Sequence, residues 1–180
     1  MKITSILSFL FLASLFISCK GEPKKDIEEK QVAQEPFTVV INMTAKEDDI
    51  MTLYYMDNTM DNFMEDVSIY KEVKKGDQEI VIALPEGYLP KSIRFDLSTK
   101  EPKQVCKINK IHVSNDGQSF DIFNKDLEKF LIPNAGVIFD SKDRSYSFKE
   151  VDGNYDPYLQ ISPEFSSRLA PLVGKALTVK

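Results

Sequence analysis

Tryptophan is absent, histidine occurs once, cysteine twice and glycine only seven times in 180 residues. Each scarcity closes a class of chemistry. The chain has no glycine-rich phosphate loop and no Gly-x-Ser-x-Gly nucleophile elbow. A histidine-based zinc site draws on several His or Cys ligands, and here His112 has only Cys106, six residues before it, as a companion outside the N-terminal region. The spacing therefore predicts a sheet-face histidine, with no metal, cofactor or catalytic residue assigned. Positive charge is also short. With 23 Lys and Arg against 28 Asp and Glu, the formal charge is −5. Such a chain has no general electrostatic attraction to nucleic acid or anionic lipid, and no basic stripe makes a local exception, so no nucleic-acid partner is expected. Long hydrophobic runs are missing too. The longest, Ile3 to Ile17, falls short of the about twenty residues a membrane-spanning helix needs.

That run has a different use. Met1-Lys2 gives a short positive start, the apolar stretch follows, and Leu15-Phe16-Ile17-Ser18-Cys19 leads directly into Lys20. This resembles the lipobox of bacterial lipoproteins: a small residue, Ser18, before the cut, then the cysteine whose thiol receives diacylglycerol. Phe16 departs from the usual aliphatic residue. The resemblance implies that residues 1–18 are a cleaved export signal and that Cys19 carries the lipid. Each buried acyl CH₂ contributes about 0.8 kcal/mol, so several chains hold a soluble domain to a membrane. The expected location is the bacterial cell envelope, anchored through Cys19. The mature chain then has 22 basic and 28 acidic residues. Residues 19–36 are highly charged, with too few apolar residues to repay ordering, and read as a flexible tether spanning about 20–25 Å. A lipidated Cys19 leaves Cys106 without an intramolecular partner, and its apolar surroundings predict a small buried thiol.

From Phe37 onward the pattern is that of β-strands bounded by turn residues. Strands are predicted at Phe37–Met43, Ile50–Met56, Gln78–Leu84, Ser92–Leu97, Val105–Val113, Ser119–Phe123, Gly136–Phe139, Ser145–Phe148 and Tyr158–Ile161. In Ser92–Leu97, Ile93, Phe95 and Leu97 share one face while Arg94 and Asp96 take the other. Asn115-Asp-Gly117 is a hairpin signal. One helical turn is expected at Asp126–Phe130, and residues 163–180, with two prolines, are expected to be a loosely attached tail. Many short strands without crossover helices predict an all-β fold, an antiparallel sandwich or barrel, over residues 37–162.

Four segments carry a second resemblance: Asp49-Ile-Met-Thr-Leu-Tyr-Tyr55, Ile80-Val-Ile-Ala-Leu-Pro85, Ile93-Arg-Phe-Asp96 and Val105 to Val113. Their order, followed by Asp156-Pro-Tyr-Leu-Gln160, is similar to jelly-roll domains of the galactose-binding-like type. The resemblance implies a jelly-roll β-sandwich of a kind recurring in bacterial surface-polysaccharide and membrane glycan proteins. It implies a fold far more than a ligand, because such sandwiches host unrelated roles.

Two features compete as sites. Asp57 to Asp66 is rich in oxygen ligands for a hard cation, but lacks the loop glycine and spaced glutamate of an EF-hand, so a solvated acidic loop is expected. Tyrosines at 54, 55, 70, 88, 146, 155 and 158 offer an aromatic platform of the kind on which sugar rings stack. Tyr54 and Tyr55 point to opposite faces, and the others are expected to reach the surface. The expectation is a non-enzymatic, lipid-anchored module that binds glycan or an envelope protein. An accessory lipoprotein engaging protein partners is the second reading, and a glycan hydrolase using two carboxylates the third.

Overall fold

A computed structural model describes residues 35–99 and 103–174 of the chain. The expected signal and Cys19, the expected tether up to residue 34, and the last six residues lie outside the described residues.

Alternation drives the fold. In β1 (Thr38–Ala45) every second side chain, Val39, Ile41, Met43 and Ala45, is buried. β2 (Asp49–Met56) buries Met51, Leu53 and Tyr55 on its inner face. β3 (Ser68–Val73), β4 (Gly76–Ala83) and β5 (Ser92–Asp96) follow, then the long β6 (Val105–Asn115) and β7 (Gln118–Phe123). A 3₁₀ turn at Asn124–Asp126 runs into the four-residue helix α1 (Leu127–Phe130). The short strands β8 (Leu131–Pro133), β9 (Val137–Asp140), β10 (Ser145–Phe148) and β11 (Leu159–Ile161) precede helix α2 (Pro163–Gly174).

The strands form two antiparallel sheets that pack as a β-sandwich. The first has the order β4-β1-β6-β10-β9, with β7 also on β6. β6 is long enough to take two neighbours on one side: β10 pairs at Val105 and Cys106, and β7 pairs from Lys110 to Asn115. The second sheet has the order β3-β2-β5-β11-β8. Phe37, Ile41, Leu53, Ile82, Phe95, Ile108 and Leu159, drawn from both sheets, are among the most buried residues of one apolar core.

The predicted hairpin is present. Asp116 and Gly117 both have positive φ, 47° and 71°, between the paired Asn115 and Gln118. This is the two-residue geometry whose twist matches that of its strands. β3 and β8 were not predicted, and both are edge strands. β3 buries only Val73 fully, so no apolar period marks it, and β8 is three residues ending in a proline.

The expected loose tail is the largest correction. Residues 163–174 form α2, which buries Phe165, Leu169 and Leu172 at spacings of four and three on one face. Ser162 caps it, its Oγ accepting the Phe165 N–H at 3.2 Å, and Pro163 stands at the first helical position, where its missing N–H has no role. The ring of Phe165 lies 6.4 Å from Phe95 and 5.5 Å from Phe120, and Asn115 donates to the carbonyl of Leu172 at 2.8 Å. The folded part thus extends through Gly174 rather than ending at residue 162.

Candidate functional site

The outer face of the second sheet carries the site. The register places Ser68, Tyr54, Arg94, Gln160 and Ile132 side by side across all five strands. Neighbouring strands are about 4.8 Å apart, so the row is about 19 Å long. At its centre the guanidinium of Arg94 lies over two rings, 5.0 Å from the centroid of Tyr54 and 4.0 Å from that of Tyr158. Such contacts contribute about 0.5–2 kcal/mol each, more as water is excluded. Arg94 Nε and Nη2 donate to the two oxygens of Asp96 at 2.8 and 2.7 Å, and Nη2 also reaches Asp156 at 2.6 Å.

Burial gives these charges different weights. The Arg94 side chain is 18% exposed and that of Asp96 only 7%, whereas that of Asp156 is 47% exposed. Burial pushes the Asp96 carboxyl above its ordinary range by more than Arg94 pulls it down, and the charge of Asp156 adds to the rise. Burial pulls Arg94 downward, but its bond and charge contacts with Asp96, then Asp156, outweigh this and hold it above its ordinary value. Tyr54 is raised by burial first, then by the charge of Asp96 and by Tyr70. Its hydroxyl therefore keeps its proton. Beside this row Thr52 faces Asp96 on one neighbour and Tyr70 on the other. Its Oγ1 is buried with no hydrogen-bond partner.

A cleft of about 250 Å³ adjoins the row, lined by Asn134, Gly136, Asn154, Asp156 and Tyr158 among others. Its walls are held from behind. Asn134 Oδ1 accepts the N–H groups of Gly136 and Tyr158 at 3.1 Å, and its Nδ2 donates to the Asp156 carbonyl at 2.7 Å. Gly136 leaves room for this: a Cβ there would stand 3.2 Å from Pro157 Cα. On the far wall Asp152 and Gly153, with φ of 53° and 79°, turn the chain between the mutually bonded Val151 and Asn154.

Of the seven tyrosines, Tyr54 and Tyr158 meet at Arg94, and Tyr70, 54% exposed, stands beside them. Tyr54 and Tyr55 take opposite faces as expected, and Tyr55 is the inward one, packing edge-on against Tyr88 at 5.5 Å. Tyr146 does not reach the surface. It is 2% exposed, its hydroxyl has no partner, and burial raises its pKa well above the usual phenol value. Tyr155 bonds Ser98 at 2.5 Å, which in turn bonds Asp49 at 2.5 Å. Ser98 is wholly buried, which closes it to a substrate. Cys106 is likewise wholly buried, and burial pushes its thiol far above the ordinary range.

His112 lies on the outer face of the other sheet, its Nδ1 2.7 Å from Asp121 Oδ1, with Lys110 Nζ 3.8 Å from the same oxygen. In the acidic loop, Asp57 accepts from the N–H and hydroxyl of Thr59 at 2.8 and 2.7 Å, bonds that lower its pKa. Among the described residues no group of three or more His, Cys, Asp or Glu stands where it would hold a metal ion. No helix among them is long and apolar enough to cross a membrane.

Arg94 and Asp96 were visible in the sequence only as the outward residues of β5. Nothing local announced Asp156, 62 residues on, as their partner. Comparison with protein-family models, curated proteins and solved structures found no match in any of the three.

Proposed function

We propose that the chain is a non-enzymatic, lipid-anchored envelope protein whose second sheet binds glycan on its outer face. The observation that carries this reading is the cluster of Tyr54, Arg94 and Tyr158 beside the cleft containing Asp156. Sugars are held by aromatic faces under their C–H bonds and by fixed polar groups at their hydroxyls. Here the guanidinium contacts both tyrosine rings and holds them in place, which lowers the ordering cost of binding. The galactose-binding-like reading belongs to the same proposal. Its support is that Leu53-Tyr-Tyr55, Arg94-Phe-Asp96 and Asp156-Pro-Tyr158, three separate segments of that resemblance, converge on one cluster. The anchor rests on the lipobox-like Leu15 to Cys19.

A hydrolase gets little support, because Asp96 is 5% exposed and shares one guanidinium with Asp156. An accessory role toward protein partners is favoured by Ile132 and Ile138, about half exposed on terminal strands of the two sheets.

Two experiments test the proposal. A glycan-array screen of the mature chain should give binding that Tyr158→Ala abolishes without loss of the cooperative melt. An empty array, or binding indifferent to Tyr158, would overturn the site. Metabolic labelling with a fatty-acid analogue should mark the wild-type chain and not Cys19→Ala. Labelling of both would overturn the anchor.

A further inference from the structure

The charge arrangement around the cleft narrows the class of glycan, and this step rests on the glycan-binding reading above. We infer that the site takes an uncharged, hydroxyl-rich sugar and discriminates against acidic glycans.

An exposed-face arginine next to aromatic rings would ordinarily suggest an anion receptor, since a guanidinium forks onto carboxylate or sulfate with two parallel bonds. A fork onto a ligand is closed here, since only Nη1 is left without a hydrogen bond among the described residues. Nε and one Nη of Arg94 already form the fork to Asp96, the same Nη reaches Asp156, and tyrosine rings lie within 5.0 Å of the cation. One arginine against two aspartates leaves the cluster with a formal excess of one negative charge.

The groups left open toward the cleft agree with that sign. One oxygen of Asp156 bonds Arg94, and the other accepts no hydrogen bond among the described residues. The side chain of Asn154 and the hydroxyl of Tyr158 are also unengaged among them. No lysine or arginine side chain lines the cleft. Of the exposed charges next to its walls, Lys149 is positive while Glu150 and Asp152 are negative. A carboxylate oxygen beside a carboxamide and a phenol offers acceptors to ligand O–H groups. It presents uncompensated charge to an anion. Adjacent sugar hydroxyls fit the first description, and a uronate or sulfated sugar meets the second. Juxtaposed like charges are a strong source of discrimination, so a preference of about tenfold or more for the neutral ligand is expected.

The test uses the full chain in detergent and two probe sets: neutral galactan, mannan and glucan oligosaccharides, and acidic polygalacturonate and alginate oligosaccharides. Calorimetric titration should show a neutral probe bound at least about tenfold more tightly than any acidic one, with little dependence on salt. Asp156→Asn removes the excess charge yet keeps an acceptor oxygen and the Arg94–Asp96 pair. Because Asp156 is itself part of the cleft, the readout is the ratio of the two sets, and that gap between neutral and acidic probes should narrow in the variant. Tighter binding of an acidic probe by the wild type would overturn this inference and leave the glycan reading standing, as would a gap that Asp156→Asn does not change. Binding of neither set would remove the glycan reading itself, and this inference with it.

Discussion

Both sheets turn ion pairs to the outside, across two strands on the first and along one strand on the second, and treat them differently. On the first sheet the row Val81, Val40, His112 and Asp121 is edged by Lys110. Its charged side chains are each about a third exposed: Lys110 35%, His112 31%, Asp121 37%. On the second, Arg94 and Asp96 stand at 18% and 7% beneath tyrosine rings. Water screens the first group, so its geometry has little energetic consequence. In the second, each charge relies on its partner because solvent no longer serves either. A short contact between opposite charges therefore says little until its burial is known. Here burial marks one face as a built structure and the other as an ordinary solvated surface.

The sharpest way to break this contrast is to remove one cation from each face. Arg94→Ala leaves Asp96 buried without a counter-charge and should cost about 3–5 kcal/mol, read as a large fall in the urea midpoint. His112→Ala should change stability by less than about 1 kcal/mol. Equal losses from the two would erase the distinction.

A smaller effect of opposite sign is expected at Thr52, whose hydroxyl is buried on the second face without a partner. Thr52→Val keeps the shape and removes the unsatisfied group, so it should stabilise the fold by about 1 kcal/mol. A loss on calorimetric melting would mean that the hydroxyl is in use.

The smallest effect is a pH dependence. The folded state holds the Asp96 proton more tightly than the unfolded chain does, because its carboxyl is raised above the ordinary 3.8. Its contribution to stability is therefore greatest at low pH and is lost as pH rises through the raised folded value. The stability of the wild type relative to Asp96→Asn should fall across that window and then stay level to neutrality. A difference that grows with pH would reverse the assignment and make Arg94, not burial, the stronger influence on Asp96.

Legibility in the sequence followed the same divide between local and distant information. β1 and β5 were readable because a two-residue apolar period and a buried face coincide. The Asp116-Gly117 turn was readable because few residues accept its positive φ. β3 was hidden because its edge position leaves no strongly apolar face. α2 was misjudged because Pro163 and Pro171 suggested a broken tail, although Ser162-Pro163 is a helix start and Phe165, Leu169 and Leu172 keep helical spacing. The alternation of β5 put Arg94 and Asp96 on the outer face. That Asp96 would be buried there, and that Asp156 and Tyr158 would come in from a later loop to close around Arg94, are products of tertiary assembly. Local pattern carries no trace of them.

The position of Phe165 has a consequence for the life of the chain. Its ring touches Phe95 of one sheet and Phe120 of the other, so α2 has a complete seat only after both sheets have formed. The last described element of the sequence is therefore the last to find its full set of contacts, and it serves as a completion check on everything made before it. A product cut short before residue 163 would leave those two aromatic side chains without their shared neighbour, and such exposed apolar surface marks incompletely folded chains for aggregation and proteolysis. In a full-length chain, loosening α2 would recreate the same exposure for an instant.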